Sequence, residues 1–437
     1  MIAQVYLWNR FVGALNWDDT LKVGQFQYAP EFVDGGLQIA PVRMPLSKDR
    51  IYSFAALSVD TFKKLPPVFA DSLPDAYGYA LMDAWLAQNG RDKASFSPVE
   101  RLLYQGNRGM GALEYRPAIE PASSKTEKIQ LDALVELAEL VLHSREAMVD
   151  RIESQDPSVD DEALKRLIQV GTSAGGARAK AVIAINDKNE IRSGQVKAPK
   201  GFSYWLLKFD VQKEAAELAD TQGYGRIEYA YYLMAQAAKI EMTECRLLEE
   251  GSRAHFMTKR FDRTDDGEKI HMATLCALDH ADFNVPGVYS YELALNVMRE
   301  LNLSREDAIQ FFRRMVFNVV ARNQDDHTKN IGFLMDMDGT WFLSPAYDVS
   351  WAYRTDSEWV SHHQMTINGK RDDFARDDLI TIGKKIQGLP LKGIKAIIDD
   401  ICGVVSRWEE FATEAGVDEK RVSEIAKTHR LYLGDER

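Results

Sequence analysis

Ile309, Phe312, Met315, Val316, Val319 and Val320 recur at steps of three and four, the spacing that lines one face of an α-helix. Ser304 followed three positions later by Asp307 gives that helix a capping start. The apolar face ends abruptly at Asn323-Gln324-Asp325-Asp326-His327-Thr328-Lys329-Asn330. Beyond it Ile331, Phe333 and Met335 alternate, Met337-Asp338-Gly339 supplies turn chemistry, and Trp341 and Leu343 resume the alternation before Pro345, which predicts a short hairpin. A buried helix thus delivers a polar cluster to a hairpin. The hairpin brings the chain back at Tyr347-Asp348-Val349-Ser350, so that Asp348 returns near Asp325 and Asn330.

Elsewhere the pattern predicts a mixed N-terminal region over 1–120, with Val5, Leu7, Phe26 and Tyr28 in strand-like runs and a helix around 77–88. A linker through Pro121, Ser123, Ser124 and Lys125 leads to a helix bearing Leu131, Leu134, Leu137, Leu140 and Val141. Residues 121–265 read as a second region. It holds Gly171-Thr172-Ser173-Ala174-Gly175-Gly176-Ala177-Arg178-Ala179-Lys180, an apolar strand over 181–185, a strand over 203–209 ending near Lys208, a helix opening at Arg226, and a strand running from His255 toward Arg263. From 266 to 437 the chain reads as mainly helical, with the hairpin inserted and a core-facing stripe of Ile394, Ile397, Ile398, Ile401, Val404 and Val405. The fold class expected is therefore α+β.

Composition narrows the function classes. The 437 residues carry 54 basic and 66 acidic side chains, a net charge of −12, which argues against nonspecific nucleic-acid binding. Cys245, Cys276 and Cys402 are odd in number and lack CxxC spacing, which argues against a disulfide framework or a structural zinc site and fits a reducing cytoplasm. No apolar run approaches the ~20 residues of a membrane span. His362-His363 has no third ligand at a suitable spacing and reads as surface or loop.

Two carboxylates and an amide converging on a small volume suit Mg²⁺, which is held by few protein ligands together with waters and phosphate oxygens. In the protein-kinase template an Asp accepts the hydroxyl proton, an Asn five positions on holds metal, and a second Asp beyond a hairpin holds the bridging metal. Asp325, Asn330 and Asp348 follow that order; the plainer alternative is a solvated acidic turn and a helix cap. Small residues over 171–177 would let backbone N–H groups approach phosphate oxygens, or form an ordinary hairpin loop. Lys208 reads as a phosphate clamp or a solvated charge, with Glu228 as the acid that would orient it.

With these stretches in place, the chain resembles the HipA family of serine/threonine kinases, the toxins of HipBA-type toxin–antitoxin modules. The glycine-rich stretch over 171–180 is similar to the family's phosphate loop, Lys208 to its nucleotide-binding Lys, and Lys259-Arg260-Phe261-Asp262-Arg263 to its hinge. Asp325-Asp326-His327-Thr328-Lys329-Asn330 resembles its D-x-H-x-K-N loop, and Tyr347-Asp348-Val349-Ser350 its Y-D-x-S. The resemblance implies a two-lobed, protein-kinase-like fold with a mixed N-terminal subdomain and a mainly helical C-terminal lobe, and an enzyme using ATP and Mg²⁺. It implies catalytic roles for Asp325, Lys208, His327 and Lys329, and metal ligation by Asn330 and Asp348. Nucleotide contacts are expected from Gly175, Gly176, Ala177, Lys180, Lys208, Glu228, Lys259 and Phe261, with Asp262 accepting a ribose hydroxyl. It implies inactivation by autophosphorylation of Ser173, with Thr172 as runner-up. The expected partners are a HipB-like helix-turn-helix antitoxin, through which DNA is reached indirectly, and a protein substrate such as an aminoacyl-tRNA synthetase. No Arg directly precedes Asp325, Tyr347-Asp348-Val349 stands where DFG would, and no APE-like anchor comes after it, so common activation-loop control is not expected. A catalytically weak scaffold binding the antitoxin, or a small-molecule kinase, are the alternatives.

Overall fold

The computed structural model describes residues 1–74, 78–79, 82–83, 85–86, 90–119, 128–129, 179–210, 223–251 and 253–434. The chain forms two compact units. The first comprises Met1–Ile39, Met44–Gly225 and Arg246–Met272, the second Ala40–Arg43, Arg226–Cys245 and Ala273–Arg437.

The first unit opens on an antiparallel sheet of β1 (Ile2–Leu7), β2 (Arg10–Asp18), β3 (Val23–Tyr28), β4 (Ile51–Tyr52) and β5 (Leu113–Arg116), in the order β4-β3-β2-β1-β5. Val5, Leu7, Leu15 and Phe26 are buried on it, and Phe26 packs on Phe69 with ring centroids 4.6 Å apart. Close approach of β2 to β3 depends on Gly13, where a Cβ would lie 2.2 Å from the Gln27 carbonyl oxygen. The expected helix around 77–88 is present at its described positions, 78–79, 82–83 and 85–86. A second sheet joins β6 (Lys128–Ile129), β7 (Lys180–Asn186), β8 (Ile191–Ser193), β9 (Phe202–Lys208), β10 (Cys245–Glu250) and β11 (Arg253–Lys259), in the order β10-β11-β9-β7-β8-β6. β7 is buried from Lys180 to Ile185 without alternation, the mark of a strand covered on both faces. The expected linker over 121–125, the helix over 131–141 and the glycine-rich loop up to Arg178 lie outside the described residues.

The second unit is mainly helical. The helix Arg305–Val320 starts at Ser304 with a capping box to Asp307 and buries Phe311, Phe312, Met315, Val316, Phe317, Val319 and Val320, while Ile309 stays half-buried. At about 1.5–3 kcal/mol for each large apolar side chain taken from water, this face anchors the helix from whose C-terminal end the polar loop departs. The helix Leu391–Val405 buries the whole expected isoleucine and valine stripe. Helical order is interrupted for longer than the pattern suggested, because residues 344–375 form irregular backbone with only isolated bridges.

Candidate active site

The helix Arg305–Val320 ends where Ala321 closes on the Phe317 carbonyl and Arg322 adopts φ +57°. The chain turns there, and a parallel bridge between Asn323 and Ala352 holds the turn: Gln324 N–H donates to Ala352 O at 3.1 Å, and Ala352 N–H to Arg322 O at 3.0 Å. A short 3₁₀ turn over Thr328–Asn330 comes next, tied down by Thr328 Oγ1 donating to Ala281 O at 2.7 Å. The hairpin pairs β12 (Gly332–Met335) with β13 (Trp341–Leu343), and Gly332 to Met335 are all buried, so the alternation expected there is absent. Asp307 works at both ends of this region. Its Oδ2 accepts from Ser304 N–H at the cap, and its Oδ1 accepts from Leu343 N–H at 3.1 Å. The return of the chain is fixed by Ala346 N–H to Glu241 O and by Tyr347 Oη to Lys329 O, both at 2.8 Å.

Asp325, His327, Asn330 and Asp348 consequently line one cavity of about 40 Å³, room for a few waters or a hydrated ion. The Asn330 Nδ2 donates to the Asp325 backbone carbonyl at 2.9 Å. With the amide nitrogen turned to that carbonyl, Asn330 Oδ1 is the acceptor available to a cation. His327 Nε2 lies 3.7 Å from Asp325 Oδ1, and Lys329 Nζ sits over the Phe283 ring at 5.2 Å. Asp348 has φ +52°, a left-handed conformation that Asp tolerates better than most side chains. An oxygen-rich, sparse donor set of Asp325, Asn330 and Asp348 suits a hard cation that completes its shell with water and phosphate oxygens.

The two adjacent acids have opposite environments. The Asp325 side chain is 49% exposed, that of Asp326 1%. Asp326 accepts from Tyr291 Oη at 2.7 Å, His363 Nδ1 at 2.8 Å and Gln364 N–H at 2.8 Å. Burial would raise its pKa, but the His363 partner and these hydrogen bonds hold it below the ordinary carboxylate value. Burial and the Asp326 charge push Tyr291 well above its usual value, so Tyr291 remains a donor. The reading of Asp325-Asp326 as a solvated turn therefore fails for Asp326. Likewise His362 is exposed as expected, whereas His363 is fully buried. Sequence reasoning missed Tyr291, His363 and Arg314, which is another lining residue and donates from Nη2 to Ser344 O at 2.6 Å. Their partners lie too far along the chain for any local pattern to reveal them.

The remaining expected residues lie in other elements. Lys208 ends β9 opposite Lys180 of β7, with its Nζ 5.7 Å from the Phe256 ring centre, and Lys180 itself is buried. Glu228 is a buried residue of the helix Tyr224–Ala237. Lys259 ends β11 and pairs with Asp265 at 2.8 Å, and Phe261 is half-buried. Thr172, Ser173, Gly175, Gly176 and Ala177 lie outside the described residues. Asp262, of which a ribose contact is expected, is engaged by protein donors. Its carboxylate is fully buried and accepts from Arg260 Nε at 2.8 Å and from Arg260 Nη2, Arg263 Nη1 and Gly111 N–H, each at 2.7 Å. Asp262 thereby ties the 109–111 loop to the strand end, and Arg263 completes the knot by donating to Gly109 O and Gly111 O.

No curated protein matches the chain. Among solved structures it is similar to HipA in the Shewanella oneidensis MR-1 complex of HipA, HipB and operator DNA, with 16% identity over 97% of this chain and 94% of that one and a TM-score of 0.61; the two share a two-lobed α+β fold. The Helicobacter pylori proinflammatory kinase CtkA aligns with 13% identity over 57% of this chain and 90% of its own, at a TM-score of 0.34. The HipA N-terminal domain matches residues 3–116. Since the HipA-like C-terminal domain matches residues 172–430, a span that includes the whole cavity, the chain belongs to the HipA family.

Proposed function

We propose that the chain is an ATP- and Mg²⁺-dependent serine/threonine protein kinase acting as the toxin of a toxin–antitoxin pair. The observation that carries this reading is the bond from Asn330 Nδ2 to the Asp325 carbonyl, within a cavity that Asp348 also lines. A half-exposed Asp325 carboxylate is accessible to a substrate hydroxyl. It takes the hydroxyl proton as the oxygen attacks the γ-phosphoryl group of ATP, and ADP leaves. Asn330 and Asp348 hold Mg²⁺, which when bound neutralises charge on the phosphate oxygens. On the family resemblance Lys208 is the phosphate clamp and Glu228 the acid that would orient it, and His327 and Lys329 take part beside the base. The nucleotide contacts assigned to Lys180, Lys259 and Phe261, and to the glycine loop, rest on the family resemblance.

Phosphorylation of Ser173 would add about −1.5 to −2 charge to a loop that wraps ATP phosphates, and so switch the enzyme off. The Shewanella HipA is in complex with HipB and operator DNA, which supports a HipB-like helix-turn-helix antitoxin as the partner here. The net charge of −12 supports DNA contact through that partner, not through this chain. Among the described residues no helix is long and apolar enough to cross a membrane, and a cytoplasmic location is part of the proposal. So is a protein substrate of the aminoacyl-tRNA synthetase type.

Intact-mass measurement and phosphopeptide mapping after incubation with ATP and Mg²⁺, wild type beside Asp325→Asn, test the reading. Phosphate gained on residues 170–180 in wild type alone is the expected result. No gain in initially unphosphorylated wild type, together with no transfer to proteins of a cell lysate, would overturn it.

A further inference from the structure

His363 lies 37 positions beyond Asp326, in the irregular segment after Asp348, yet its side chain is fully buried against that acid. Its second ring nitrogen, Nε2, stands 3.2 Å from Arg430 Nη1. A guanidinium only donates. Nε2 must therefore accept, the ring proton resides on Nδ1, and Nδ1–H donates to Asp326 Oδ2. Resting on the reading of Asp325 as the base, we infer that His363 is a positioning residue: held in this one tautomer by Arg430, it fixes Asp326 and thereby aims the neighbouring Asp325.

The relay is braced where it meets the rest of the unit. Arg430 N–H donates to Val320 O at 2.8 Å, at the end of the helix that delivers the loop, and the Arg430 guanidinium lies 5.4 Å from the Phe374 ring centre. Asp372 pairs with Arg430 and with Arg322, and Arg322 Nε donates to Thr428 O at 2.8 Å. Three stretches distant in sequence, around Tyr291, His363 and Arg430, thus converge on the one buried carboxylate beside the base. Gln364 N–H, also donating to Asp326, pins the segment after Asp348 to the same acid. Many kinases order the corresponding segment by a phosphate paired with Arg. Here a buried histidine and a buried carboxylate do so, and the loop is set without covalent modification.

Steady-state ADP release from Mg²⁺–ATP and hydrogen exchange over 323–331, both on the full chain, test the assignment. His363→Leu is expected to lower kcat by about 10²-fold, the scale of a misplaced catalytic group, with KM for ATP unchanged and exchange accelerated. His363→Asn keeps a donor at the Nδ1 position and is expected to recover most of both losses. A folded His363→Leu with wild-type kcat and exchange overturns the inference, as does His363→Asn behaving no better than Leu. If His363→Leu does not fold, Arg430→Met removes only the donor to Nε2; it is expected to lower kcat and accelerate exchange, and wild-type values of both overturn the relay. Wild type that releases no ADP defeats the kinase reading alone. Exchange over 323–331 then decides the relay, faster in Leu and restored in Asn if it holds, unchanged in Leu if it does not.

Discussion

Asn330 holds the backbone of Asp325 from five residues away, its Nδ2 donating to the Asp325 carbonyl at 2.9 Å. The bond closes the polar loop on itself and leaves the Asn330 amide oxygen as the acceptor available to a cation. Asn330→Asp keeps an oxygen ligand but removes the donor, and Asn330→Ala removes both. In ADP-release assays over a range of Mg²⁺ concentrations, Asn330→Ala is expected to lose about 10²-fold in kcat and to need more Mg²⁺. Asn330→Asp should retain Mg²⁺ dependence closer to wild type and still lose kcat. Equal kcat in all three would remove Asn330 from the site.

Replacing either acid of the cavity separates chemistry from folding. Asp325 is half-exposed, and Asp348 occupies a left-handed conformation that Asn adopts as readily. Asp325→Asn and Asp348→Asn are therefore expected to keep the melting temperature within a few degrees while activity falls by about 10²–10⁴-fold, the range attached to a lost general base. Calorimetry beside the ADP assay checks this. A large drop in melting temperature would mean that the acids are structural.

How much could be read from the sequence depends on the range of the forces involved. The helix Arg305–Val320, its Ser304 cap and the hairpin turn at Asp336–Thr340 depend on residues within about one turn of each other, and the periodicity and turn chemistry exposed them. Asp325, Asn330 and Asp348 were legible because a short loop and one hairpin separate them. The burial and bonding of Asp262 were not, because Gly111, which donates to it, lies 151 positions away. An acid at a strand end reads the same from sequence whether it faces a ribose or two buried guanidinium groups. His363 does lie in irregular backbone, as read, but its burial was not legible for the same reason: adjacent histidines carry no signal that one faces solvent and the other a buried carboxylate.

Asp262 gives the first unit a defined acid response. Burial would raise its pKa, but the charges of Arg260 and Arg263 and the Gly111 N–H hold it far below the ordinary value. A carboxylate depressed on folding contributes stability that is fully present above its unfolded value of about 3.9 and is lost as pH falls from there toward the folded value. Asp262→Asn leaves two buried guanidinium groups without their counter-charge, a loss of about 3–5 kcal/mol at neutral pH. Urea titrations of both proteins are expected to show that gap at pH 7 and its narrowing below about pH 4. A pH-independent gap would locate the effect in packing instead.

His271 works in the opposite direction of charge and in a different window. Its ring is fully buried, with Nε2 3.1 Å from the Ile39 carbonyl, which only accepts, so Nε2 carries the proton. Burial pushes its pKa down to about 4. Between its unfolded value of about 6.5 and that folded value, the unfolded chain binds a proton that the native chain does not. Stability is therefore fully present above the upper value and falls with acidification, by about 1.4 kcal/mol per pH unit for one such group. His271→Gln retains a donor to Ile39 without a titrating ring. Urea midpoints measured from pH 7 to pH 4.5 are expected to decline less steeply in His271→Gln by one proton's worth of slope, so that a modest deficit of the variant at pH 7 shrinks or reverses near pH 5. His280 and His429, also lowered to about 4, keep part of the slope in the variant. An identical slope in both proteins would mean that the His271 ring is already protonated in the native chain.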